Sequence, residues 1–180
     1  MTEEKATLSP RATEVVAVAR DLLETDGPAA LSMRNVAARL GIRAPSLYEH
    51  LPDKRALEDA IITGGLQDQG AYEMEQIAGA SDPLRALALG YRRWAHDHPH
   101  LYLLMTGREL DRSRPGLAEA EEAAARPVRQ VTGDNAKVGA LMGAWEHGMV
   151  VQELNGRFPP GQDLDALWDE GIEMFRPLLG

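Results

Sequence analysis

The sequence has no cysteine, which excludes a disulfide framework and any thiolate metal site and fits a reducing compartment. It has no apolar run near the roughly 20 residues needed to span a bilayer, so no membrane segment is expected. The opening Met1 to Pro10 carries Glu3, Glu4 and Lys5 and lacks an apolar stretch, so it does not read as a secretory signal. A cytoplasmic protein is expected. Strand-like alternation persists nowhere, and there is no internal repeat or low-complexity tract. There is also no glycine-rich phosphate loop, no His-Glu-x-x-His zinc motif and no nucleophile elbow. No catalytic residue and no cofactor are therefore expected. His96, His98 and His100, with Asp97 between the first two, could in principle hold a transition metal. Their spacing crosses Pro99 and does not put three imidazoles on one helical face, so solvated histidines at a helix end are expected and no metal. Glu146 and His147 are adjacent and diverge on a helix.

What is present is a chain long enough to bury a real core, with 44% apolar residues in 180. Its net charge of −9 argues against indiscriminate binding to nucleic acid. The charge is uneven. Residues 1–65 hold eight Lys/Arg against ten Asp/Glu, and residues 66–180 hold eleven against eighteen. Between Arg34 and Arg55 the balance reverses: Arg34, Arg39, Arg43, Lys54 and Arg55 face only Glu49 and Asp53. An acidic body with one small basic tip predicts binding in a single orientation and with strong salt dependence.

The periodicity is helical almost throughout. Val15, Val16, Ala19, Leu22 and Leu23 form one apolar stripe, with Ser9 before Pro10 as its N-cap and Gly27-Pro28 as its stop. Ser32 can cap a second helix that buries Val36, Ala37 and Leu40 and ends at Gly41. A third begins around Ala44 and ends near Leu51, and Pro52 with Asp53 opens a fourth carrying Leu57, Ile61 and Ile62. Two short helices joined through a glycine turn make a helix-turn-helix, whose second helix enters the DNA major groove. The fourth helix runs on towards Ala78 despite Gly64, Gly65 and Gly70. Further helices are expected from Leu84 to about His98, from Pro99 to Thr106, and over 116–131, 134–155 and 163–178. A polar loop is expected at 107–116. The fold expected is all-α, with a three-helix head over residues 1–62 and a helical-bundle body for ligand binding and dimerisation over 63–180.

Each residue of the tip has a role that its chemistry allows. Arg43 can donate two bonds to a guanine edge or pair with a phosphate, and Ser46 can donate to either. Ala44 and Pro45 suit a thymine methyl. Tyr48, His50 and Lys54 suit phosphate oxygens, which fix register without reading sequence. Ser32 and Arg34 can anchor the opposite phosphate ridge. A helix-turn-helix also occurs in bundles with no DNA role. A dimeric module that senses a ligand or binds a protein, without sequence-specific DNA contact, is the alternative on residues alone.

Residues 12–62 resemble the N-terminal DNA-binding domain of the TetR family of transcriptional repressors. The resemblance rests on Ser32-Met33-Arg34, Leu40-Gly41, Leu47-Tyr48-Glu49-His50 and Lys54-Arg55-Ala56-Leu57. It implies a homodimer that binds a palindromic operator, released from it by a small molecule. Over 134–175 the chain resembles a subgroup marked by Trp-x-His-Gly, here Trp145-Glu146-His147-Gly148, followed by Glu153-Leu154, Gly156 and Phe158-Pro159. That resemblance implies pairing of the helices near 134–155 and 163–178 with their copies in a second subunit. Gly139, Ala140, Gly143, Ala144 and Gly148 point the same way, since small side chains allow close helix approach and cost helix propensity. Tyr91, Trp94, His98, Tyr102, Met105, Met142, Trp145 and Met149, with Leu103, could line an adaptable cavity for a small apolar or aromatic effector. As an alternative they are plain core, the commoner fate of such residues.

Overall fold

The computed structural model describes residues 8–179, so the acidic opening with Glu3, Glu4 and Lys5 lies outside the described residues. Among these, helices α1 (Pro10–Asp26), α2 (Met33–Arg39), α3 (Pro45–Tyr48), α4 (Lys54–Ile77), α5 (Pro83–Asp97), α6 (Pro99–Thr106), α7 (Leu117–Thr132), α8 (Ala136–Leu154) and α9 (Leu164–Phe175) follow in order. Single 3-10 turns occupy Pro28–Ala30 and Arg176–Leu178, and no described residue lies in a strand. The architecture is all-α, as the periodicity predicts. No helix among the described residues is long and apolar enough to cross a membrane.

Local chemistry sets the helix starts. Ser9 Oγ accepts from Ala12 N at 3.2 Å, Ser32 Oγ from Asn35 N at 3.2 Å, Asp53 Oδ1 from Ala56 N at 2.7 Å and Asp163 Oδ1 from Ala166 N at 3.0 Å. Each satisfies an amide that the helix itself leaves free. The one element that departs clearly from expectation is α3, which stops at Tyr48 instead of near Leu51. The N–H of His50 bonds to the Leu47 carbonyl at 3.0 Å in a tightened turn. Pro52 disfavours helical geometry at Leu51 and offers no N–H to continue the ladder.

The chain divides into two compact units, one of Met1–Gln67 with His98–Glu121 and one of Asp68–Asp97 with Glu122–Gly180. The divisions fall inside α4, between α5 and α6, and inside α7, so residues 98–121 group with the N-terminal helices, whereas the sequence places them in the 63–180 body. In the first unit Val15, Ala19, Leu22 and Leu23 of α1 are buried, as are Val36 and Ala37 of α2, Leu47 of α3 and Leu57, Ile61 and Ile62 of α4. Val16 and Leu40 are half-buried. Leu101, Tyr102 and Met105 of α6 share this interior. Glu24 at the end of α1 ties α6 in place, its Oε1 accepting from Leu101 N at 2.8 Å. Gly65 lets α4 come close: a Cβ there would lie 2.6 Å from Met105 Sδ and 3.1 Å from Leu101 Cδ1. The 107–116 loop is held by Asp59, buried on α4, which pairs with Arg108 and, at 3.0 Å, with Arg114 Nε.

The second unit is organised around Glu153 of α8. Its side chain is 3% exposed and receives Arg92 Nε at 3.0 Å and His96 Nε2 at 2.9 Å from α5, and Trp168 Nε1 from α9. Trp168 is fully buried and stacks edge-on against Trp145 of α8, centroids 4.9 Å apart, with Arg92 over its ring at 5.5 Å. Phe175 extends the cluster, 5.5 Å from Trp145. Gly171 makes room for it, since a Cβ there would fall inside the Trp145 indole. We expect Gly171→Ala to destabilise the protein by about 1–3 kcal/mol through overpacking, in spite of alanine's better helix propensity. A melting temperature equal to or above that of the wild type would contradict this packing.

Candidate nucleic-acid interface

The turn between α2 and α3 is built by Gly41, whose φ of 67° lies in the left-handed region. Gly41 N–H bonds to the Ala38 carbonyl at 3.1 Å and Ile42 N–H to the Ala37 carbonyl at 3.0 Å. This pair of bonds closes the α2 carboxyl end and redirects the chain, which glycine does at no steric cost. Pro45 then begins α3, where its missing N–H costs nothing. Leu47, 0% exposed, is the side chain that pins this short helix to the core.

With Leu47 turned inward, the remaining side chains of the segment face solvent. Arg43, Pro45, Ser46, Tyr48, Glu49 and His50 are exposed, and Ala44 is half-buried. Tyr48 is 50% exposed, an uncommon position for a large aromatic with no packing role. Arg34 is exposed on α2. Ser32 is half-buried and serves as the α2 cap, which uses its oxygen and leaves its hydroxyl proton free to donate. Lys54 is exposed at the start of α4 and reaches Glu58 Oε1 at 3.3 Å. Arg39 is turned aside to Asp21 at 3.1 Å, a partner on α1 that periodicity does not disclose. All nine residues expected to meet DNA thus lie in one compact unit, seven of them exposed.

The eight residues expected to line an effector cavity divide between the two units. Tyr91, Trp94, Met142, Trp145 and Met149 belong to the second unit, and His98, Tyr102 and Met105 to the first. Trp94, Tyr102, Met105 and Met142 are buried, and Trp145 is a member of the Trp168–Phe175 cluster. An open cleft of about 480 Å³ in the second unit is lined instead by Arg85, Leu89, Arg92, Arg93, His96, Asp165 and Asp169. A second lies at Val151, Gln152, Asn155 and Arg157. His96 meets Glu153, whereas His100 Nδ1 lies 3.3 Å from the Glu24 carbonyl oxygen. No group of three or more potential metal ligands occurs among the described residues.

The sequence reading does not name Glu73, and it names Glu146 and Glu153 as motif members without foreseeing that Glu146 is buried or that Glu153 is a hub. Glu146 is fully buried, and Glu73 is 1% exposed. Burial pushes the Glu73 carboxyl up to about 8, against the opposing hydrogen bond from Gln69. Burial, and then the neighbouring Glu73, hold Glu146 well above the usual carboxylate range. A signal was available: Val138, Met142, Glu146 and Val150 form one stripe at four-residue spacing, and the only acid in it must be buried with the rest.

Residues 15–61 match the domain family described as bacterial regulatory proteins, tetR family, and residues 84–175 match the tetracyclin repressor-like C-terminal domain. The chain is 30% identical over 152 residues to an uncharacterized HTH-type transcriptional regulator of Mycobacterium tuberculosis, covering 79% of this chain and 69% of that one. A protein of unknown function from Rhodococcus sp. RHA1 superposes with a TM-score of 0.77 at 24% identity, covering 99% of this chain and 100% of that one. A TetR variant from Acinetobacter baumannii AYE, in complex with minocycline, superposes with a TM-score of 0.63 at 21% identity, covering 94% of each chain. Together with the exposed basic helix-turn-helix, these matches show that the chain belongs to the TetR family, as a transcriptional regulator with an N-terminal DNA-binding domain.

Proposed function

We propose that the protein is a homodimeric repressor whose two recognition helices occupy successive major grooves of a palindromic operator, with a small molecule as the releasing signal. The observation that carries the DNA half is the exposed set Arg34, Arg43, Ser46, Tyr48, His50 and Lys54 around a helix anchored by Leu47 alone. In this reading Ser32, Arg34, Tyr48, His50 and Lys54 hold phosphates, and Arg43, Ala44, Pro45 and Ser46 face base edges. Twofold symmetry places the two helices about one DNA turn apart. Such a role belongs in the cytoplasm. A gel shift with DNA from upstream of its own reading frame tests it. Sequence-specific retention that weakens steeply between low and moderate salt is expected. Retention of no fragment at low salt would refute it.

The dimer is proposed through α8 and α9. Leu141 is 60% exposed and Met174 is 74% exposed, while Gly148, two turns on from Leu141 and on the same face of α8, has open space where a Cβ would stand. An apolar, small-residue face of this kind is what a close helix–helix contact with a second copy needs. The Trp145-Glu146-His147-Gly148 element on α8 supports membership of the Trp-x-His-Gly subgroup. The double variant Leu141→Glu, Met174→Glu is expected to sediment as a monomer at micromolar concentration while keeping its helical circular-dichroism signal. Retention of the dimer would place the interface elsewhere.

For the effector, the relative bound to minocycline supports a small organic molecule. Tyr91, Trp94, Met142, Trp145 and Met149 remain candidates for its apolar contacts, with His98, Tyr102 and Met105 as candidates in the other unit. Such a molecule releases DNA only by binding the DNA-incompetent state more tightly, and operator DNA must then weaken its binding in return.

A further inference from the structure

The second unit buries two glutamates on different helices, Glu73 at 1% and Glu146 at 0% exposure. Both carboxylate oxygens of Glu146, on α8, lack a hydrogen-bond partner among the described residues. Glu73, on α4, lies near enough for its charge to act on Glu146, and it accepts from Gln69 Nε2 at 2.9 Å. A buried carboxylate without a partner is among the costlier features a fold can carry, and an apolar residue of similar volume is usually the more stable choice. Position 146 is well suited to such a residue, because Met142 and Val150, one turn away on either side, are fully buried and apolar.

We propose that Glu146, with Glu73 beside it, is the recognition point for a cationic organic effector, an alkyl- or arylammonium ion whose nitrogen meets the carboxylates and whose apolar part runs along Met142 and Val150. This rests on the ligand-responsive reading above and names the class of ligand. A monocation together with one retained proton neutralises the pair. Two of its N–H donors match the Glu146 oxygens, which no described residue bonds, and the third is left for the Glu73 carboxyl that Gln69 already meets. A hard metal ion is a poorer fit, since two carboxylates and one amide fall short of the six or more oxygens it takes.

The test uses the full-length protein. Primary ammonium ions from methyl- to hexylammonium, each beside the neutral alcohol of the same chain length, are titrated by calorimetry. The targets are the wild type, Glu146→Gln and Glu73→Gln, with circular dichroism establishing that both variants are folded. At least one ammonium ion is expected to bind the wild type about tenfold or more tightly than its alcohol. That preference is expected to vanish in Glu146→Gln and to shrink in Glu73→Gln. If Glu146→Gln does not fold, Glu73→Gln alone decides. No charge preference anywhere in the series, as expected if only a buried water meets Glu146, overturns the proposal, and so does a preference that survives the substitutions. Operator affinity is followed separately. Carboxylate-dependent ammonium binding that leaves DNA affinity unchanged keeps this site and refutes the release step instead.

Discussion

Replacing Tyr48 and Lys54 together with alanine is expected to lower operator affinity by about 10²-fold or more, because each phosphate contact is lost twice in a dimer. The two substitutions separate in their salt response. Lys54 carries charge, so its loss from both subunits is expected to reduce the slope of log affinity against log salt by about 1.8, whereas loss of Tyr48 leaves the slope nearly unchanged. The Lys54 ion pair with Glu58, at 3.3 Å on the surface, does not prevent this role. Exposed pairs of that kind are worth at most about 1 kcal/mol, and a phosphate displaces them readily. Arg43→Ala is expected to add a loss of sequence preference, read as operator affinity falling more than affinity for scrambled duplex. Anisotropy titrations at three salt concentrations measure all of these quantities. An unchanged slope in Lys54→Ala would remove Lys54 from the phosphate contacts, and equal losses on both duplexes would remove Arg43 from base readout.

Raising the pH from 5 to 8 is expected to destabilise the protein, the reverse of what paired surface carboxylates produce. Glu73 has an ordinary value of 4.5 and is pushed up to about 8 in the folded chain. Between those values the unfolded state has released its proton and the folded state retains it. The contribution is therefore complete below 4.5 and is lost progressively as pH rises through about 8. The loss runs at about 1.4 kcal/mol per pH unit for one proton. Glu146 is raised as well and acts in the same sense. Asp82, held below the usual range by its hydrogen bond to Arg176, acts oppositely, but its contribution is lost only as pH falls below about 3.8. Melting curves at pH 5, 6.5 and 8 are expected to shift downward with pH in the wild type. In Glu146→Gln they are expected to be flatter and to lie higher at pH 8. A melting temperature that holds steady or climbs over this range would mean that neither carboxyl group is buried as described.

The helices were legible in the sequence because their signals are local. Ser9-Pro10, Gly27-Pro28, Ser32, Gly41 and Asp53 act within a turn of where they stand, and the structure uses each as a cap or stop. The exposed face of α3 was legible for a related reason: once Leu47 is buried, helical geometry turns its neighbours outward. The grouping of residues 98–121 with the N-terminal helices was not legible. It depends on Glu24 reaching Leu101 and on Asp59 reaching Arg108 and Arg114, pairings separated by some 49 to 77 positions. The surroundings of the methionines and aromatics expected at the cavity were not legible either. Composition shows that Trp145 is large and apolar, but only the packing of α9 shows that its ring is already occupied by Trp168 and Phe175.

The central claim is that α3 reads duplex DNA in twofold-paired copies. Selection from a random duplex pool, followed by determination of the mass of the protein complex with the recovered sequence, tests it most directly. The account predicts an inverted repeat with half-site centres about 10 base pairs or a multiple of that apart, bound by an even number of chains. Recovery of an asymmetric site held by one chain, or of no enriched sequence at low salt, would contradict it.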